Sequence, residues 1–135
     1  MVNKPDRLYI DLKSRPLYEK LESEPFFKGK TRKEQFLFAM AVGFKNNIKI
    51  TIEKREGIFL TKDLKPEDEA LINAIAIFDA NSIDILLDKA QVFKIVEEYA
   101  NGGIQILINK INSIEIGTFE KYFEKPIEKL YKEIK

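Results

Sequence analysis

The chain predicts a mainly α fold: a compact multi-helix domain with a short N-terminal strand and a small β-hairpin around 48–61. Three observations predict it. Apolar residues recur at helical spacing through much of the sequence, whereas strict alternation is confined to RLYIDL (7–12) and IKITIE (48–53). Capping patterns stand where the helical stretches begin. The 135 residues, 44% hydrophobic and 33% charged, suit one globular domain over 1–135, and no repeat or linker divides it.

RLYIDL sets Leu8, Ile10 and Leu12 on one face and Arg7, Tyr9 and Asp11 on the other, the mark of a half-buried strand. Ser14 or Arg15 begins a helix that tolerates Pro16 in its first turn, where the missing N–H would be unpaired anyway. Leu17, Tyr18 and Leu21 form its apolar stripe. It stops near Glu24-Pro25, because the residue before proline avoids the α region. Thr31 and Glu34 match a capping box and open a helix over 31–46. Phe36 to Val42 and Phe44 leave that helix apolar all round, so it belongs in the core, and Asn46-Asn47 ends it.

IKITIE then turns at 54–57 into IFLT (58–61), giving the hairpin. Pro66, Glu67, Asp68 and Glu69 open the next helix with carboxylates at the positive end of its dipole. Leu71, Ile72, Ile75 and Phe78 mark its core face, and Asn81-Ser82 breaks it. Asp88 and Gln91 repeat the capping pattern ahead of Val92, Phe93, Val96 and Tyr99. Asn101-Gly102-Gly103 reads as the C-cap of that helix, with a new one from Ile104. After Gly117-Thr118 a last helix carries Phe119, Tyr122, Phe123, Ile127, Leu130 and Ile134, kinked at Pro126.

Composition narrows the chemistry. With no cysteine there is neither a disulfide nor a thiolate zinc site, and with no histidine the usual acid–base residue is missing. Asp79, Asp84 and Asp88 could converge on a metal, but their spacing fits no calcium loop. Asp88 has a capping role, and Asp84 belongs on the solvent side of Ile83, Leu86 and Leu87. A carboxylate-metal nuclease is therefore the third-ranked reading. Glu97 and Glu98, successive on a helix, point about 100° apart and make a poor catalytic pair. The expectation is a protein that is no enzyme and takes no cofactor. No apolar run approaches the ~20 residues that span a bilayer, so no membrane contact and a cytoplasmic location are expected.

One stretch departs from a plain structural account: KGKTRK at 28–33. Gly29-Lys30-Thr31 invites comparison with a nucleotide-binding loop, but Glu24 stands where that loop needs its first glycine, and no strand precedes it. A looser anion site remains. Lys28, Lys30, Arg32 and Lys33 crowd the positive end of a helix, beside Gly29 and Thr31, where backbone N–H groups suit a phosphate. The alternative is four long side chains extended into water and screened by salt. The net charge of +1 means any nucleic-acid affinity comes from such a patch.

The strand–helix–helix order of residues 7–46 resembles the ribbon-helix-helix DNA-binding class, whose paired strands enter the major groove. That likeness implies a homodimer, with Arg7 and Tyr9, joined by Lys13, facing base edges. Asp11 departs from the pattern, since a carboxylate in the groove is repelled unless it meets a cytosine amino group. The competing arrangement pairs the first strand with the later hairpin inside one chain.

Three stretches, FLFAMAVGFKNN (36–47), EALINAIAIFD (69–79) and VFKIVEEYANGGIQIL (92–107), resemble a family of small proteins encoded beside DNA phosphorothioation systems, which replace a backbone phosphate oxygen with sulfur. The likeness rests on apolar, structural motifs and carries no catalytic residue with it. It implies an accessory protein of a DNA modification or restriction system. Such a protein would touch the DNA backbone through 28–33, or act as a protein–protein adaptor anchored by an exposed Phe26-Phe27.

Overall fold

Helix α4 (Lys89–Ser113) is the axis of the fold, and it runs unbroken through the two glycines that the sequence reads as its end. The computed structural model describes residues 4–113. Against α4 lie strand β1 (Arg7–Asp11), helix α1 (Arg15–Glu22), helix α2 (Arg32–Lys45) and helix α3 (Pro66–Ala80), while strand β2 (Arg55–Leu60) pairs with β1. The architecture is mainly α with one small antiparallel sheet.

Gly102 and Gly103 serve packing rather than capping. A Cβ on Gly103 would lie 1.7 Å from the Ala39 carbonyl oxygen, and one on Gly43 only 1.9 Å from that of Tyr99. Helices α2 and α4 therefore cross with their backbones in contact, which side chains at these positions would forbid. Phe36, Ala39, Met40 and Val42 from α2 meet Val96, Ala100, Ile104 and Leu107 from α4 in a buried core. Tyr18 and Leu21 of α1, Leu8 and Ile10 of β1, and Ile72 and Ile75 of α3 complete it.

The helix ends follow their local chemistry. Glu34 N–H donates to Thr31 Oγ1 at 3.1 Å, and Thr31 N–H to Glu34 Oε1 at 2.8 Å, so the capping box of α2 is complete. Asp68 Oδ2 accepts from Lys65 N–H at the start of α3, and Asp88 Oδ1 from Gln91 N–H at the start of α4. Asn81 ends α3 at φ 54°, and Asn47 follows α2 at φ 56°, both in the left-handed region that asparagine tolerates.

The hairpin expected at 48–61 does not form. β2 begins at Arg55 and pairs with β1 instead, from Arg7↔Leu60 to Asp11↔Arg55, with Ile58 left unopposed at an irregularity. Residues 48–54 make no strand. They form a strap along α4, with Ile50 N–H donating to Glu98 O and Asn101 Nδ2 donating to the carbonyls of Ile50 and Thr51. Asp11 Oδ2 takes the Glu53 N–H at 2.8 Å, and Ser14 Oγ donates to Asn101 Oδ1 at 2.7 Å. Burial pushes Asp11 up, but the N–H groups of Glu53 and Lys13 outweigh it and hold the carboxyl below its ordinary range.

The strand of the ribbon-helix-helix resemblance is thus occupied within its own chain. β2 takes one edge of β1, and at Tyr9 the backbone N–H goes to Glu97 of α4. β1 is not the free strand that a two-chain ribbon needs. The last helix expected after Gly117, with its kink at Pro126, lies outside the described residues. Among the described residues no helix is long and apolar enough to cross a membrane.

Candidate functional site

The basic turn at 28–33 is largely neutralised by the fold around it. Arg32 pairs with Glu22 of α1 at 3.0 Å and also donates to Gln35 Oε1 and the Tyr18 carbonyl. Lys33 pairs with Asp68 of α3 at 2.8 Å, both side chains being about five-sixths buried. Lys30 stands 5.4 Å over the Phe26 ring. Thr31 is committed to its cap, and its N–H holds the Glu34 carboxyl below the usual carboxylate range. Gly29, at φ +84°, makes the left-handed bend that lets the chain enter α2, and Lys28 is exposed beside it. The apparent surplus of positive charge at the α2 N-terminus thus meets Glu34 of its own helix, and Glu22 and Asp68 from α1 and α3, which sequence spacing does not bring together.

The aromatic anchor expected at Phe26-Phe27 also changes character. Phe27 is fully buried and Phe26 half-buried, because both rings pack edge-on against Phe38 of α2, at 5.1 and 5.7 Å. Phe27 is a core residue, not an exposed one. Arg7 and Tyr9 lie on the outer face of β1. Arg7 pairs with Asp6, and the Tyr9 ring carries the Arg55 guanidinium 3.9 Å above its centre.

Tyr9 also forms one wall of a surface groove. This groove holds about 570 Å³ between β1, the strap and the first turns of α4; Tyr9, Arg55, Asp88, Lys94, Glu97 and Glu98 are among its lining residues. Glu97 is 4% exposed, and its Oε2 accepts the Tyr9 N–H at 2.9 Å. Burial pushes the Glu97 carboxyl up to about 7; the Tyr9 N–H and the Arg55 charge oppose that rise, and neighbouring Glu98 adds to it. Such a carboxylate can take a donor or a proton near neutrality.

The Asp79, Asp84 and Asp88 trio does not assemble. Asp79 accepts from the Tyr99 hydroxyl at 2.7 Å and pairs with Lys49 at 2.9 Å, while Asp88 caps α4. Among the described residues no group of three or more His, Cys, Asp or Glu is placed to hold a metal.

Residues 13–134 match the family described as DNA sulphur modification system-associated protein 4. The chain belongs to that family. Searches of curated proteins and of solved structures return no match. Membership associates this chain with DNA sulphur modification, in an accessory role.

In this family member a second surface feature is apolar. Phe78, Ile83 and Leu87 are 74, 69 and 79% exposed, at the end of α3 and in the 3-10 turn Ile83–Leu87. The sequence assigns Phe78 to the core face and Ile83 and Leu87 to an apolar inner side. The structure leaves all three largely exposed. Leu86, half-buried, is the inward residue of that set. Glu97 was legible only as one of two adjacent acids. The usable signal is its place in the row Phe93, Glu97, Asn101, Ile104, where polar residues interrupt an apolar face at helical spacing.

Proposed function

We propose that this protein is a non-catalytic adaptor of a DNA sulphur modification system, receiving a partner protein of that machinery at the face formed by the end of α3 and the 3-10 turn. One observation carries the reading: Phe78, Ile83 and Leu87 stand largely in water within one short stretch. Clustered apolar side chains of that size mark interaction surfaces. Exposed Asp84 and Asp88 alternate with them, so a complementary segment presents apolar side chains flanked by lysine or arginine. The basic turn then has an internal role, with Arg32 tying α2 to α1 and Lys33 tying α2 to α3.

The test is complex formation with each purified protein of the modification machinery, followed by light scattering. One of them should bind the full chain. The double substitution Phe78→Ser, Leu87→Ser should weaken that complex at least about tenfold while leaving the helical circular dichroism unchanged. Binding to none of them removes the adaptor reading.

A second reading keeps contact with the DNA backbone. It is supported by exposed Lys28 and by Lys30, next to Gly29, Thr31 and the N-terminal N–H groups of α2, with Arg32 and Lys33 behind them and Arg7 and Tyr9 on β1. Mobility shifts of plain and phosphorothioated duplex at two salt concentrations test it. Lys28→Ala with Lys30→Ala should then lower affinity and reduce the salt slope by about one per lysine. No retarded band at low salt sinks that reading.

A further inference from the structure

We propose that the groove between β1, the strap and the first turns of α4 is a receptor for a cationic side chain, arginine above all, presented by a partner protein. The inference deepens the adaptor reading and rests on it for the source of the arginine. Its starting point is the Glu97 carboxylate, 4% exposed on the groove wall. Oε2 is satisfied by the Tyr9 N–H, whereas Oε1 has no hydrogen-bond donor among the described residues. An ionised carboxylate has room for about four donors, so one bond leaves it open to a further donor from the groove.

The neighbouring groups say what the missing donor is. Asp6, Asp88, Glu97 and Glu98 line the groove against Arg55 and Lys94. Even with Asp6 set aside as the partner of Arg7, three carboxylates face two cations. With Glu97 ionised, that balance favours a cation over a phosphodiester. Arg55 does not fill the place itself: its guanidinium lies over Tyr9 and makes no ion pair with Glu97 among the described residues. Its position does show that a planar cation stacks on this ring. A second guanidinium reaching Glu97 would gain a charge-assisted fork on the open oxygen.

The site is also the right size and in the right place. About 570 Å³ exceeds one arginine side chain and admits its neighbours in a peptide. Asp88 lines the groove, and its chain neighbour Leu87 is one of the exposed apolar residues. A segment laid on Phe78, Ile83 and Leu87 could therefore extend a basic residue straight into the groove.

N-acetyl-arginine amide and its uncharged citrulline counterpart are the probes, titrated into the isotope-labelled full chain to about 50 mM, well above the millimolar affinity expected of one side chain. The arginine probe should shift the Tyr9 amide and the Glu97 carboxyl carbon saturably, and the citrulline probe should bind at least about tenfold more weakly. Glu97→Gln should reduce arginine binding by a similar factor, because an amide oxygen lacks the charge. No saturable shift, or equal shifts from the two probes, overturns the proposal. So does a response to cytidine monophosphate in place of arginine, which would make the groove a nucleobase site. Arginine binding in the groove without any machinery complex would leave this site standing and remove the adaptor reading. A complex that tolerates Glu97→Gln unchanged would do the reverse.

Discussion

The backbone N–H of Tyr9 donates to Oε2 of Glu97 at 2.9 Å, latching the first strand of the protein to the middle of a helix 88 residues further along. The latch is made by a buried acid, and that choice has a cost. A carboxylate at this depth is held ionised only by one N–H and the nearby charge of Arg55, so it sits close to its neutral form.

Stability should therefore depend on pH in a definite direction. In the folded protein Glu97 keeps its proton up to about pH 7, whereas an ordinary glutamate loses it near 4.5. Between those values the folded state binds more protons than the unfolded state. The contribution of Glu97 to stability is thus fully present below about pH 4.5, falls as pH rises, and is lost above about 7. Glu97→Gln keeps an acceptor for Tyr9 and removes the charge. It should raise stability at pH 8 by about 1–3 kcal/mol and flatten this part of the profile, as read by urea denaturation across pH.

Gly103→Ala tests the crossing of α2 and α4. The added methyl would have to sit 1.7 Å from the Ala39 carbonyl, and backbone cannot move aside as a flexible side chain can. A loss of about 3 kcal/mol or more is expected, despite alanine's better helix propensity. A chemical denaturation midpoint equal to that of the natural chain would show that the two helices separate easily.

Asn101→Ala should release the strap. It leaves Ser14 Oγ and the carbonyls of Ile50 and Thr51 without their partner, at a site that is 4% exposed. The expected cost is about 2–4 kcal/mol. Hydrogen exchange at the Ile50 and Glu53 amides should accelerate beyond the global effect. Exchange that speeds up equally everywhere would mean the strap has no separate opening.

Tyr18→Phe should go the other way. The Tyr18 hydroxyl is fully buried and has no hydrogen-bond partner among the described residues, and burial raises its pKa far above the ordinary phenol range. Removing the oxygen while keeping the ring should leave stability unchanged or raise it by about 1 kcal/mol. A thermal midpoint that falls by several degrees would reveal a partner for the hydroxyl.

How much of this was legible depended on whether the cause was local. The capping box at Thr31 and Glu34, the asparagine ends of α2 and α3, and the alternation of RLYIDL act within a few residues, and each reappears in the structure. The errors came where distant backbone decides. Gly102 and Gly103 carry the same local signal whether they end a helix or admit another one, and only the approach of α2 tells which. IKITIE alternates like a strand because its chain lies extended along α4, but helix groups rather than a neighbouring strand satisfy it. The basic turn read as surplus charge because Glu22 and Asp68 join it only through tertiary packing. The groove was hidden for the same reason: Tyr9, Arg55 and Glu97 come from three separate parts of the chain.

The Tyr9–Glu97 latch also sets a clock on the protein's birth. Translation delivers β1 first, yet its partner strand arrives some fifty residues later and its latch only with Glu97. At about 5–20 residues per second that interval is roughly 4–18 s, during which Leu8 and Ile10 lack the α4 side of their core. Until α4 leaves the ribosome, β1 can pair with β2 but lacks its latch.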